Sequence, residues 1–189
     1  MTPIDSFREL LISRVRELYD AEQLLVGALA DLAGCASDPS LCAFLQTRLA
    51  DTSAHLARIE EIFTGLEVPP AASPSSGLRG LIRDSERHMA EVVPFGPVRD
   101  AAVAGLALQF VHYGIAGYHT ALAHAEVLGL NDIVQRLDSM LVDELSADRA
   151  LKHLADRVAA PDGRPDEFWD PDTAADWPAT TDTTSRRLH

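Results

Sequence analysis

The amino-acid sequence predicts an all-α protein, a bundle of four long helices with a short crossover helix between the second and third. Three observations predict it. Long segments carry apolar residues at alternating steps of three and four, the spacing of one helical face. The stretch from Ala101 to Ala125, AAVAGLALQFVHYGIAGYHTALAHA, has no Asp, Glu, Lys or Arg, and a helix apolar all round needs neighbours on every side. Prolines fall only between the periodic segments or at their first positions, where a missing N–H does no harm.

The first helix opens at Ser6-Phe7-Arg8-Glu9, a capping-box spacing, and is expected to run to Gly34. Leu11, Val15, Leu18, Leu25 and Leu29 form its seam, and Glu22 takes the seam position between Leu18 and Leu25. Tyr19, one turn away, is placed to reach that carboxylate. The second helix starts with Asp38 as N-cap and Pro39 at its first position and runs to Gly65. Its stripe of Leu41, Leu45, Leu49, Leu56, Ile59 and Phe63 is broken in the middle by Thr52, with Asp51 and His55 beside it as an i, i+4 pair. VPPAASPSSG, Val68 to Gly77, reads as a loop that feeds a crossover piece from Leu78 to Val93.

Pro97 begins the third, apolar helix, which closes at Gly129. Three histidines and a glutamine within it argue against a bilayer span, because intramembrane polar groups are costly. Gly114, Gly117, Ala121 and Ala125 form a close-packing surface that we expect to meet a second copy of the chain. Asn131 or Asp132 caps the fourth helix, with a seam of Ile133, Leu137, Met140, Leu151 and Val158. Glu144 sits within that seam and Asp148 follows one turn on. The helical domain thus spans residues 1–160, and 161–189 read as an acidic, Pro/Asp/Thr-rich tail without periodicity, with Phe168, Trp169 and Trp177 as its docking residues. Four helices with one long crossover make a ferritin-like bundle the expected architecture.

Composition narrows the function. Of 189 residues, 47% are hydrophobic, so the body is globular. A formal net charge of −13 argues against nucleic acid, whose phosphates need clustered Lys and Arg. The start lacks a basic and then apolar leader, and Cys35 and Cys42 make no disulfide framework, so we expect a cytoplasmic protein with reduced thiols. An ionised carboxylate in an apolar seam needs a counter-charge, a hydrogen bond or a metal. Glu22, Asp51, Glu144 and Asp148, with His55 and His112, would offer oxygen ligands plus imidazole, a set suited to iron or manganese. The other reading pairs the acids with Arg14, Arg48, Arg58 or Arg149 and needs no metal. The residues leave both open. His112 and His119, seven apart on the apolar helix, read as satisfied core histidines if they bind nothing.

LYDAEQLL at Leu18, ADTSAHLARIEEIF at Ala50, RDAAVAGLALQFVHYGIAGYHT at Arg99 and LVDELSADRALKHLA at Leu141 resemble the YciF-like family of bacterial ferritin-like proteins. The resemblance covers about Phe7 to Val158. It implies a ferritin-like fold, dimers, stress-associated expression and a di-iron carboxylate site. Carried over by position, it places Glu22 on the first helix, Asp51 on the second, and Asp143 and Glu144, followed by Asp148, on the fourth. On the third helix the family's glutamates are replaced by Val111 and Gly114, and His112 or His119 would compensate only in part. The expectation is therefore a homodimeric, ferritin-like stress-associated protein with a partly degenerate metal site that handles iron or peroxide. The competing expectation is a metal-free helical dimer acting as a structural or interaction module.

Overall fold

The computed structural model describes residues 4–159 and consists of five helices: α1 (Phe7–Cys35), α2 (Pro39–Gly65), α3 (Ser76–Glu91), α4 (Pro97–Val127) and α5 (Asn131–Ala159). The acidic tail expected from residue 161, with Phe168, Trp169 and Trp177, lies outside the described residues. Helix starts follow the sequence signals closely. Ser6 accepts a hydrogen bond from the Glu9 amide, and Asp38 accepts from the Ser40 and Leu41 amides with Pro39 next to it. Gly129, at φ 67, closes the α4–α5 turn in a conformation that favours glycine. Helix α5 begins at Asn131 itself, so that residue lies inside the first turn rather than capping it.

Each long helix packs against two others, α1 against α2 and α4, α5 against α2 and α4, which closes a four-membered ring. Short loops make α1–α2 and α4–α5 antiparallel pairs. The crossover carries α3 up the outside against α1 and α4. Asp20 fixes its start, accepting from the Ser75 amide at 2.8 Å and from Arg79 at 2.7 Å. At the far end Asp100 accepts from the Ser37 amide at 2.6 Å, tying the start of α4 to the α1–α2 loop.

By length and composition α4 could cross a bilayer, yet half of its apolar window is buried inside the bundle. Its small residues serve the chain's own packing, which corrects the expectation of a self-interface there. A Cβ on Gly117 would come within 2.7 Å of Leu18 Cδ2, and Ala121 and Ala125 lie in the core with Ile133 and Leu137. Nor is α4 covered on every side. Gly105, Gln109, His112, Ala116, His119 and Ala123 form an exposed stripe, tolerable because these residues are small or polar. His112 and His119 are thus surface residues, not core ones.

The core comes in two halves. Leu25, Leu29, Leu45, Phe110 and Leu151 belong to one, and Leu11, Leu18, Ile59, Tyr118 and Met140 to the other. Between them, at mid-height on all four long helices, lies a polar layer.

Candidate metal centre

The layer is built from residues that interrupt each helix's apolar seam. Glu22 (1% exposed), His55 (0%), Thr52 (0%), Arg48 (4%) and Glu144 (1%) are all buried. One donor atom each from Glu22, His55 and Glu144 lies within 4.8 Å of the others, the spacing at which three ligands can share one metal ion. His55 Nδ1 stands 3.7 Å from Glu22 Oε1 and 3.7 Å from Glu144 Oε1. Its other nitrogen, Nε2, is 3.3 Å from Asp143 Oδ2, a half-exposed carboxylate that also accepts from Arg58 at 2.8 Å. With Nε2 donating to Asp143, Nδ1 keeps its lone pair toward the layer, the usual way an outer carboxylate orients a ligand histidine.

Two further groups complete the layer. Tyr118 donates its hydroxyl to Glu22 Oε1 at 2.6 Å, and Arg48 Nη2 donates to Glu144 Oε1 at 2.5 Å. Four buried polar atoms of the layer have no hydrogen-bond partner among the described residues: Glu22 Oε2, Thr52 Oγ1, Arg48 Nε and Arg48 Nη1. Buried carboxylate oxygens are rarely left so.

The electrostatics follow from burial. Loss of water pushes the Glu144 carboxyl up from the ordinary 4.5 to about 7, with the Glu22 charge adding to the rise and Arg48 opposing it. Burial pulls His55 down, but Glu22 beside it and the Glu144 charge outweigh that and hold it above the ordinary 6.5. Burial and the Glu22 charge raise Tyr118 well above the ordinary 10.0, so its hydroxyl stays a donor.

Of the six residues singled out in the sequence, three meet here: Glu22, His55 and Glu144. Asp51 does not; its side chain is 43% exposed and its nearest cation is Arg48 Nη1 at 3.6 Å. His112 and Asp148 pair with each other at 2.7 Å on the outside of α4 and α5, where Lys152 also reaches Asp148 at 2.8 Å. Asp51 misses the layer because helical geometry turns the neighbouring Thr52 inward instead. Tyr19 does not reach Glu22 but donates to Glu60 at 2.8 Å, and Tyr118 takes the role. Arg48, considered in the sequence only as one of several counter-ions, is a member of the layer.

Comparison with known proteins places this geometry. Residues 6–162 match the family model described as Domain of unknown function (DUF892). The chain belongs to that family. Protein YciF of Escherichia coli (strain K12) is 29% identical to this DUF892 chain over 153 residues, 79% of the chain and 90% of the relative. The crystal structure of that E. coli stress protein superposes with a TM-score of 0.77 at 28% identity, covering 82% of this chain and 98% of the other. YcfI from Rhodopseudomonas palustris gives 0.76 at 32% identity over 79% and 94%. A ferritin-like, diiron-carboxylate protein from Bacillus anthracis str. Ames gives 0.61 at 17% identity over 80% and 99%, and shows the shared ferritin-like fold.

Ferritin-like di-iron sites take one Glu from each of two helices and a Glu-x-x-His step from each of the other two. Laid over that pattern at the layer's own level, the DUF892 chain keeps half of the ligands. Helix α1 has Glu22, α2 has Thr52-x-x-His55, α4 has Gly114, and α5 has Glu144-x-x-Ala147. Gly114 does face the layer, since a Cβ there would stand 3.1 Å from Glu144 Cδ. Two carboxylates, one imidazole and a guanidinium do not fit a pair of iron ions, which need more negative charge. They do fit one divalent ion held by Glu22, His55 and Glu144, with Glu22 Oε2 as a free oxygen.

Proposed function

We propose that this is a stress-associated ferritin-like protein that binds a single divalent metal, iron in preference to manganese, at Glu22, His55 and Glu144. The buried Glu–His–Glu cluster with its unpartnered Glu22 oxygen carries the reading. The stress role rests on the likeness to the E. coli stress protein. Three protein ligands would leave coordination positions open, so bound Fe(II) would supply an electron to oxygen or peroxide. The chain's own part is to hold the ligands, to orient His55 through Asp143, to keep the Tyr118 hydroxyl on Glu22, and to exclude water with the two apolar halves. Elemental analysis followed by anaerobic Fe(II) titration tests this. One metal per chain, lost in Glu22→Gln and in Glu144→Gln, is expected. No metal in the parent protein would sink it.

A second reading has its own observation. The Arg48–Glu144 contact and the Tyr118–Glu22 hydrogen bond already serve one oxygen of each carboxylate, as a metal-free structural bundle would require. The expected homodimer fits either reading. We assign its contact to the outer stripe of α4, around Gln109 and Ala116, which itself carries no Asp or Glu. Mass measurement of Ala116→Glu, expected monomeric, checks it.

A further inference from the structure

We infer that Arg48 is a resident cation that sets how many metal ions this bundle can hold, standing in the layer where a second ion would need compensating carboxylate. The count of one in the parent rests on the reading above; the role of Arg48 is tested separately from it. Arg48 lies one turn before Thr52 on the inward face of α2, with its side chain 5% exposed. Its Nη2 occupies Glu144 Oε1 at 2.5 Å, the same oxygen that stands 3.7 Å from His55 Nδ1. Any second ion bridged through Glu144 would have to share that oxygen with a guanidinium.

Two features of the same helix act together. Thr52 stands where the di-iron register calls for a glutamate, which removes a negative charge, and Arg48 adds a positive one. Neither change alone explains the unpartnered atoms, but together they do. Thr52 Oγ1 and Arg48 Nε are buried and without hydrogen-bond partners, and Arg48 Nη1 reaches only the layer's edge, 3.6 Å from the half-exposed Asp51 carboxylate, as expected of groups that replace ligands without replacing their contacts. Arginine suits the role because it stays protonated in any protein environment, whereas a buried lysine sheds its proton and lets a metal in. Opposite, Gly114 and Ala147 bring no donor to the far side of Glu144. A second cation would therefore meet Arg48 in a desolvated layer that offers no further carboxylate to compensate it.

The test is metal stoichiometry and affinity under anaerobic Fe(II), with Mn(II) as a redox-silent check, in the full chain. Arg48→Gln deletes the charge while keeping a polar side chain of similar reach. It is expected to bind its metal about tenfold more tightly than the parent, because Glu144 is released from the ion pair. Arg48→Met with Thr52→Glu restores the acid and is expected to bind two ions per chain, with a larger metal-dependent rise in Tm than the parent shows. Circular dichroism confirms that each variant is helical, and Arg48→Gln carries the test if the double variant does not fold. Unchanged count and affinity in the variants would overturn the inference, as would loss of metal from Arg48→Gln, which would make the arginine a supporting group. If the parent binds nothing and the double variant binds metal, the one-metal reading falls and the inference stands. If neither binds, both fall.

Discussion

The α1–α2 pair and the α4–α5 pair offer the polar layer the same three inward positions and fill them differently. Equal intervals separate Glu22 from Thr52 and His55, and Gly114 from Glu144 and Ala147. The first pair keeps its single glutamate and its histidine; the second keeps only the glutamate of its Glu-x-x-His step. Each surviving carboxylate is then served from the other pair, Glu22 by Tyr118 of α4 and Glu144 by Arg48 of α2. Each carboxylate thus takes its donor from the opposite half of the bundle. A polar layer of this kind persists without its full ligand set because every charge in it has a partner across the bundle.

Cutting one of those cross-bundle partnerships should have the largest effect. Arg48→Met leaves Glu144 buried and unpaired, and should lower the unfolding free energy by about 3–5 kcal/mol in urea titrations. Replacing both partners, Arg48→Met with Glu144→Leu, should recover most of that loss. If the double variant is no better than the single one, the pair is not the link between the halves. Next comes Tyr118→Phe, which deprives Glu22 of its only hydrogen bond among the described residues and should cost about 1.5–3 kcal/mol. Smaller again is Gly114→Ala. Its Cβ would press on Glu144 at 3.1 Å, and Arg48 leaves that side chain no room to retreat. We expect a net loss of about 1 kcal/mol after the helix-propensity gain. Gly105→Ala on the same helix, with nothing within 4 Å of its Cβ, should gain about 0.5–1 kcal/mol.

The fold was legible because it depends on period and punctuation. Seams, N-caps and proline positions are local, and each helix starts within a residue or two of where Ser6, Asp38, Pro97 and Asn131 indicate. The layer was legible where an ionisable group broke or flanked an apolar stripe, which singled out Glu22, Glu144 and His55. It was hidden where the informative residue is an absence. Thr52 showed only as a break in the α2 stripe and Gly114 only through the family resemblance, and Ala147 looks like an unremarkable helix residue until the equal intervals are laid over the two pairs. Asp51 drew attention because it is acidic, although its neighbour Thr52 holds the inward position. Arg48 and Tyr118 belong to the layer through contacts 96 residues away in sequence, which no local pattern reports.

Protons should compete with the metal. Binding requires His55 neutral and Glu144 ionised, and both hold their protons more tightly than usual, Glu144 to about 7 and His55 above 6.5. Affinity should therefore rise as pH rises from about 6 to about 8 and fall as pH drops, by up to about tenfold per unit for each proton released. Calorimetric titration in buffers of different ionisation enthalpy counts those protons. A pH-independent affinity would mean that the metal sits away from these two groups.

The smallest effects belong to the acids and histidine outside the layer, and they sharpen the comparison by drawing its edge. Asp148 is held below the ordinary carboxylate value chiefly by the Lys152 hydrogen bond, with His112 adding to it. That trio lies on the outside of α4 and α5, where His112 is 55% and Lys152 53% exposed. Water competes for such pairs and salt screens them. Asp51 is similarly placed on α2. His112→Gln, Asp148→Asn and Asp51→Asn should each change stability by no more than about 0.5 kcal/mol and leave metal stoichiometry as in the parent. A lost metal in any of them would extend the centre beyond the four-helix interior, because an exposed ligand could act there only by moving inward through the wall formed by α2, α4 and α5.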